Sequence, residues 1–229
     1  MMVGKENSPK CGTRVPRKAV SMSKVIITIA RQYGSGGREI GERVAELLGI
    51  DKYDREFVTL AAEQEGKYSE EALEKVDERT TSSLLYTLAL GSNTFGINAG
   101  AHFLPLNDKL FVIQSQLIRS LAEKGSSVMI GRCADYVLRE DPARLSVFIY
   151  ADIDSRKKRV AARHELSEDR ALDLINKTDR RRASYYNFYT GGKWGKYDNY
   201  HLAINSTVLG IEGTAQLIAN MARAKLAEG

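Results

Sequence analysis

Cysteine and histidine are scarce in this chain. Cys11 and Cys133 are too few for a disulfide framework, and three histidines without a CxxC indicate no zinc site. The expected compartment is the reducing cytoplasm. Long apolar runs are also missing. None approaches the roughly 20 residues that span a bilayer, so no membrane segment is expected. The opening stretch MMVGKENSPKCGTRVPRKAVSMSK has no apolar core of a secretory signal. It reads as a disordered basic tail over 1–22, or as an upstream start, with Met22 the alternative first residue. A large charge of one sign is lacking too. The formal net charge is +5, and Lys5, Lys10, Arg14, Arg17 and Lys18 against Glu6 put most of it in the tail. The near-neutral remainder weighs against nucleic acid as a general partner.

What is present suits a single α/β domain over 23–229. A hydrophobic content of 43% and a charged content of 28% in 229 residues fit a globular chain with a sizeable core. The most informative stretch is VIITIARQYGSGGREIGERVAELLG, residues 25–49. Val25 to Ile29 is β-branched and predicts a buried strand. Gly34, Gly36, Gly37 and Gly41 follow. Ile40, Val44, Leu47 and Leu48 recur at helical spacing, and Gly49 marks the stop. Strand, glycine loop and helix together suit a phosphate. Glycines let backbone amides approach the oxygens, the helix start adds unpaired N–H groups, and Arg38 adds a guanidinium fork. The competing reading is a plain turn that uses glycine for packing. The loop matches neither common phosphate fingerprint. GxGxxG would need glycine at Glu39, and GxxxxGK[ST] finds neither its lysine nor its hydroxyl.

The same stretch resembles the start of the cytidylate-kinase-like family, a branch of the P-loop nucleoside monophosphate kinases. Laid on the cytidylate kinase loop without gaps, Gly34 and Gly36 fall on its inner glycines. Arg31 replaces its first glycine, Gly37 its lysine and Glu39 its threonine. The resemblance implies a phosphate-binding loop formed by Gly34, Ser35, Gly36, Gly37, Arg38 and Glu39. Arg38 or Arg31 would supply the missing charge, and Glu39 would approach the metal directly or through water.

Downstream, Ile50 to Tyr53 predicts a short strand that delivers Asp54 at its carboxyl end, where doubly wound sheets bind ligands. Asp54 is either a helix N-cap or, by the resemblance, part of the acceptor site. Helices are expected within 56–90. The glycine- and asparagine-rich loop 91–108 is a flap, a plain connection or a dimer contact. LNDKLFVIQSQLIRSLAEKG predicts a helix capped by Asn107 or Asp108, with Leu110, Ile113, Leu117 and Leu121 as its buried stripe. SSVMIGRCADYVL gives strand, turn and helix. Arg132 stands past that strand end, for a salt bridge or, by the resemblance, for a phosphate or base. The base-reading aspartate of cytidylate kinases falls on Cys133, unless Asp135 replaces it from the next turn. Cys133 itself reads as a small buried residue.

RLSVFIYADIDSRKKRVAARHEL combines a strand, Leu145 to Tyr150, with a helix capped by Asp152 or Asp154. Arg156, Arg159 and Arg163 lie at spacings of three and four, hence on one face. That face is either solvated or, as the resemblance implies for Arg159 and Arg163, turned to the donor nucleotide and the moving phosphate. Asp179 and Arg182 match the Asp-x-x-Arg of the cytidylate kinase lid helix, and Ile175 stands where that helix has an upstream arginine. Of Arg180, Arg181 and Arg182, at most two can face one ligand. Seven aromatics between 185 and 200 either stack nucleic-acid bases or, the favoured reading, pack a lid onto the core with Trp194 as anchor. Leu202 to Asn205 is the last strand. A closing helix follows, with Ile211, Leu217, Ile218 and Met221 facing the core.

The expected fold is therefore three-layer α/β: a five-stranded parallel sheet, helices on both faces, and a helical lid over approximately 155–200. The expected function is ATP- and Mg²⁺-dependent phosphoryl transfer to a nucleoside monophosphate, with CMP or dCMP as the first candidates. Arg38, Arg159, Arg163 and Arg182 are expected to serve catalysis. Asp54, Arg132, Asp179 and Arg182 are expected to bind the acceptor. No metal-ligating set is indicated, and an oligomer stays open. The alternatives are a kinase of another small acceptor, a nucleotide binder without activity, and an RNA-binding module resting on the basic-aromatic stretch.

Overall fold

The computed structural model describes residues 24–54 and 106–228. The expectations for the tail 1–22, for helices within 56–90 and for most of the 91–108 loop lie outside the described residues.

Five strands form one parallel sheet in the order β2-β3-β1-β4-β5. They are β1 (Ile26–Arg31), β2 (Asp51–Tyr53), β3 (Ser127–Ile130), β4 (Arg144–Tyr150) and β5 (Leu202–Asn205). Six helices accompany them among the described residues: α1 (Gly37–Leu48), α2 (Leu106–Lys124), α3 (Ala134–Val137), α4 (Ile153–His164), α5 (Glu168–Thr190) and α6 (Ser206–Glu228). Among the described residues no helix is long and apolar enough to cross a membrane.

The strands alternate their side chains between two helical layers. Ile27 and Ile29 of β1 pack with Ile40 and Val44 of α1 and with Ile218 and Ala222 of α6. Ile26 faces the other way, onto Ile118 and Leu121 of α2 and Ala134 and Val137 of α3. Central strands buried on both faces are mostly apolar, and Thr28 and Ser146 are their buried polar exceptions. Gly41 lets α1 lie close to the sheet, since a Cβ there would stand 2.7 Å from Ile130 Cδ1. Gly49 ends α1 in the left-handed conformation, φ 64°.

Three local expectations are corrected. Helix α2 begins at Leu106, so Asn107 and Asp108 lie inside its first turn. The Asp108 carboxylate accepts from Tyr189 Oη at 2.7 Å and is used there. Of the expected α2 stripe, Leu110 and Leu121 are buried and Leu117 packs against the core, whereas Ile113 is only half-buried and Gln114, Ser115, Ile118 and Ala122 are buried in addition. In α6, Leu217 is exposed while Ile218, Ala215 and Ala222 are fully buried. That helix is broken at Gly210 (φ 65°, ψ −171°), which sets a short turn, Ser206 to Leu209, before the long segment.

Candidate active site

All β-strand carboxyl ends point to one edge of the sheet, and the glycine loop sits there between β1 and α1. Gly34 and Gly36 adopt φ of 78° and 79°, values that side-chain-bearing residues rarely take. A Cβ on Gly34 would also meet Val160 Cγ2 at 2.8 Å. Ser35 faces inward. It is fully buried, its Oγ donates to Gln32 O at 2.9 Å, and its carbonyl accepts from Ser206 Oγ at 2.6 Å. Its amide turns to Gln32 O at 3.3 Å, and the Tyr33 amide donates to Asp179 Oδ1 at 2.8 Å. By contrast, the amides of Gly36, Gly37, Arg38 and Glu39 meet no acceptor among the described residues. Unpaired amides at a helix start are the donors an anion needs.

These four residues line a cleft of about 310 Å³. Six arginines line it as well, Arg31, Arg38, Arg132, Arg163, Arg181 and Arg182, against the carboxylates of Glu39 and Asp54. Arg31 runs across two glycines. A Cβ would stand 2.6 Å from Arg31 Cβ at Gly37, and 2.1 Å from Arg31 Nη1 at Gly131. Asp54 is buried at the end of β2. Arg38 Nε lies 2.6 Å from its Oδ2, and Arg31 Nη2 lies 3.8 Å from its Oδ1. Arg132 lies on a turn with three successive left-handed residues: Gly131 at φ 80°, Arg132 at 56° and Cys133 at 55°. For the two non-glycine residues this costs on the order of 1 kcal/mol each. Strain of this kind is characteristic of functional edges.

Helix α4 turns its basic face onto the loop. Arg156 Nε donates to Tyr33 O at 2.8 Å, and its guanidinium pairs with Asp179 on α5. Arg159 donates to Gly34 O, and Arg163 pairs with Glu39. Of these three, Arg163 lines the cleft. Arg182, one turn beyond Asp179 on α5, donates to Arg31 O at 3.2 Å and lies 5.6 Å from the Tyr33 ring centre. Asp179 is not among the residues lining the cleft; its carboxylate joins the loop, α4 and α5. Burial pushes this carboxyl up, against the pull of the Tyr33 amide and Arg156. With a buried guanidinium in contact, the ionised form is the one this junction requires. Ile175 packs with Val160 and Ala171 in the core beneath.

Arg181 also lines the cleft, as do Tyr33 and His164, to which the sequence reading assigned no role. Tyr33 Oη and His164 Nε2 are 2.7 Å apart, joining the loop to the end of α4. A signal for Arg181 existed: Arg181 and Arg182 are the two of the arginine triplet that share the cleft.

Behind Arg132 and Arg182 lies a second space of about 30 Å³, bounded by Cys133, Asp135, Tyr186 and Trp194. It has room for about one water. Trp194 packs edge-on against Phe148, their ring centres 5.4 Å apart, so this aromatic stretch does join the α5 end to the sheet. Asp135 is buried and accepts from Tyr186 Oη at 2.9 Å. Burial pushes its carboxyl up from the ordinary value. A carboxyl raised in the fold is bound more tightly by its proton there than in the unfolded chain. Its ionisation therefore costs stability as pH rises from the unfolded pKa through the folded one. Asp135→Asn removes that cost and keeps an oxygen for Tyr186. It is expected to raise stability more at pH 7 than near pH 4. Urea titrations at the two pH values measure this, and an equal effect at both would remove the titration argument.

A parallel sheet ordered 2-3-1-4-5, a glycine loop after its central strand and an arginine-bearing helical hairpin over that loop define the three-layer fold of the P-loop kinases. The chain belongs to the cytidylate kinase-like family, whose model matches residues 26–208. Among solved structures, an uncharacterized protein from Eubacterium ventriosum ATCC 27560 is similar at 26% identity and a TM-score of 0.66. That match covers 88% of this chain and 99% of the other. The shikimate kinase from Bacteroides thetaiotaomicron is similar at 15% identity and a TM-score of 0.50, with 88% and 99% covered, a likeness of fold alone. No curated protein matches the chain.

Proposed function

We propose that this chain transfers the terminal phosphoryl group of ATP to a nucleoside monophosphate, with CMP or dCMP the first candidates. The observation that carries this reading is the gathering of six arginines in one cleft beside four unpaired amides. That is more positive charge than one triphosphate needs, and it suits two anionic substrates held end to end. Phosphoryl transfer asks for alignment and charge neutralisation more than for covalent chemistry. The amides of residues 36–39, with Arg38 and Arg163, grip the donor phosphates in place of a lysine. Arg132 and Arg182 take the acceptor's phosphate, and Asp54 holds Arg38 and Arg31 in position. Arg159 and Asp179 act through the loop they fasten. The α4–α5 hairpin and the aromatics after it exclude water that would hydrolyse the donor.

The donor set also suits Mg²⁺. Glu39 offers a hard oxygen ligand in the cleft, Asp54 being held by Arg38 and Arg31, and no group of three or more metal-binding side chains exists among the described residues. Mg²⁺ is ordinarily held by one or two carboxylates together with substrate phosphates. When bound beside Glu39, it would neutralise charge on the donor phosphates.

One observation favours a second reading, a different small anionic acceptor: Cys133 stands where the resembled kinases carry their base-reading aspartate, and the nearby Asp135 is buried and committed to Tyr186. The test is ADP release from ATP and Mg²⁺ against all ribo- and deoxyribonucleoside monophosphates and a set of small phosphorylated acceptors. Acceptor-dependent ADP with a pyrimidine monophosphate is expected. ADP with a small phosphorylated compound alone would move the assignment to the second reading. ATP binding with no ADP from any acceptor would make the chain a nucleotide binder.

A further inference from the structure

Glu39 is an odd side chain to find here. It stands in the first turn of α1, at the unpaired amides, where an incoming phosphate meets a like charge. In the cytidylate kinase loop a threonine hydroxyl takes this place. In this structure Glu39 pairs with Arg163, reached across the cleft from the last turn of α4. The cleft's other carboxylate is arranged differently. The Asp54 side chain is 7% exposed and lies between Arg38 and Arg31, whereas Glu39 is 32% exposed and is given one cationic partner. Asp54 is thus a fixed brace, and Glu39 has both the reach and the freedom to change partner.

We infer that Glu39 is a dual-state ligand: it holds Arg163 in the nucleotide-free cleft, then turns to Mg²⁺ when the triphosphate takes Arg163. This deepens the donor-site reading and rests on it. The exchange conserves charge. A guanidinium passes from a carboxylate to a phosphate, and the carboxylate left behind is neutralised by the divalent ion that accompanies the phosphate. The arginine that grips the donor is thereby held in place before the donor arrives, and the oxygen ligand lost with the loop hydroxyl is replaced by a longer side chain from the same position. Without the ion, Glu39 competes with the triphosphate for Arg163 and repels it. Binding of ATP is therefore predicted to depend on Mg²⁺ through this one residue.

The test is ATP affinity by titration calorimetry, in EDTA and in Mg²⁺, for the wild-type chain and for Glu39→Gln, with matched thermal midpoints as the check on folding. Electron paramagnetic resonance of Mn²⁺ added with ATP provides a second readout. In EDTA, Glu39→Gln is expected to bind ATP about tenfold more tightly than wild type. Mg²⁺ should tighten wild type by about tenfold and the variant by less than about twofold. The Mn²⁺ affinity of the ATP complex should fall at least about tenfold in the variant. Equal Mg²⁺ enhancement in both proteins, or weaker ATP binding by the variant in EDTA, would overturn the role of Glu39 and leave the donor site standing. A wild-type chain that binds no ATP in either buffer would overturn both.

Discussion

Replacing Arg182 by alanine is expected to lower turnover about 100-fold while the thermal midpoint moves by no more than about 2 °C. Arg182 is half-buried at the cleft wall, where it donates to the Arg31 carbonyl at 3.2 Å and lies 5.6 Å from the Tyr33 ring. The Asp179 carboxylate, whose charge Arg182 also meets, keeps Arg156 as its ion-pair partner after the change, so the fold loses little. The chemistry loses a preorganised donor at a place where charge develops, the kind of group whose removal costs 10²–10³ in rate elsewhere. Steady-state ADP release and a melting curve on the same preparation measure the two quantities. Unchanged turnover would remove the catalytic role of the lid helix. A large fall in midpoint would make Arg182 a structural strut.

Asp179→Ala is expected to do the reverse, with a loss of about 3 kcal/mol in unfolding free energy. The Asp179 carboxylate accepts from the Tyr33 amide at 2.8 Å and pairs with Arg156, whose side chain is 7% exposed. Its removal strands a buried guanidinium and a loop amide together. Urea unfolding measures the loss. Nucleotide affinity should fall as well, because the same carboxylate holds the start of the glycine loop. If stability is unchanged and only acceptor binding weakens, Asp179 contacts substrate directly, as its match to the family's lid motif suggested.

The contrast between these two residues shows what the sequence could and could not reveal. Both sit in one Asp-x-x-Arg, and the motif alone assigns both to the ligand. Their separation depends on which helix face meets α4, and the partner that decides it, Arg156, is distant in sequence. The strands were legible because the central ones are buried on both faces, so that Ile26–Ile29 and Leu145–Tyr150 are mostly apolar, with Thr28 and Ser146 the buried exceptions. The glycine loop was legible because Gly34 and Gly36 are required by backbone conformation. The stripe of α2 was legible in Leu110, Leu117 and Leu121 but missed Gln114, which is buried although periodicity counts a glutamine as solvent-facing. Ser35 was expected to face a ligand. Its hydroxyl bonds back to Gln32 within the loop, and its carbonyl accepts from Ser206, a hydroxyl that follows β5, far from the loop in sequence. Arg31 read as a flank of the glycines. Its path beside Gly131 brings it to Asp54, a meeting that requires the sheet order itself.

The grip on the nucleotide is tested most directly by amide chemical shifts recorded while ATP and Mg²⁺ are titrated into ¹⁵N-labelled protein. The amides of Gly36, Gly37, Arg38 and Glu39 should be exchange-labile before ATP is added. They should then show the largest shifts in the chain and become protected. Saturable ATP binding that leaves those four amides unmoved, with shifts gathered elsewhere, would contradict a phosphate site built from backbone and arginine without a lysine.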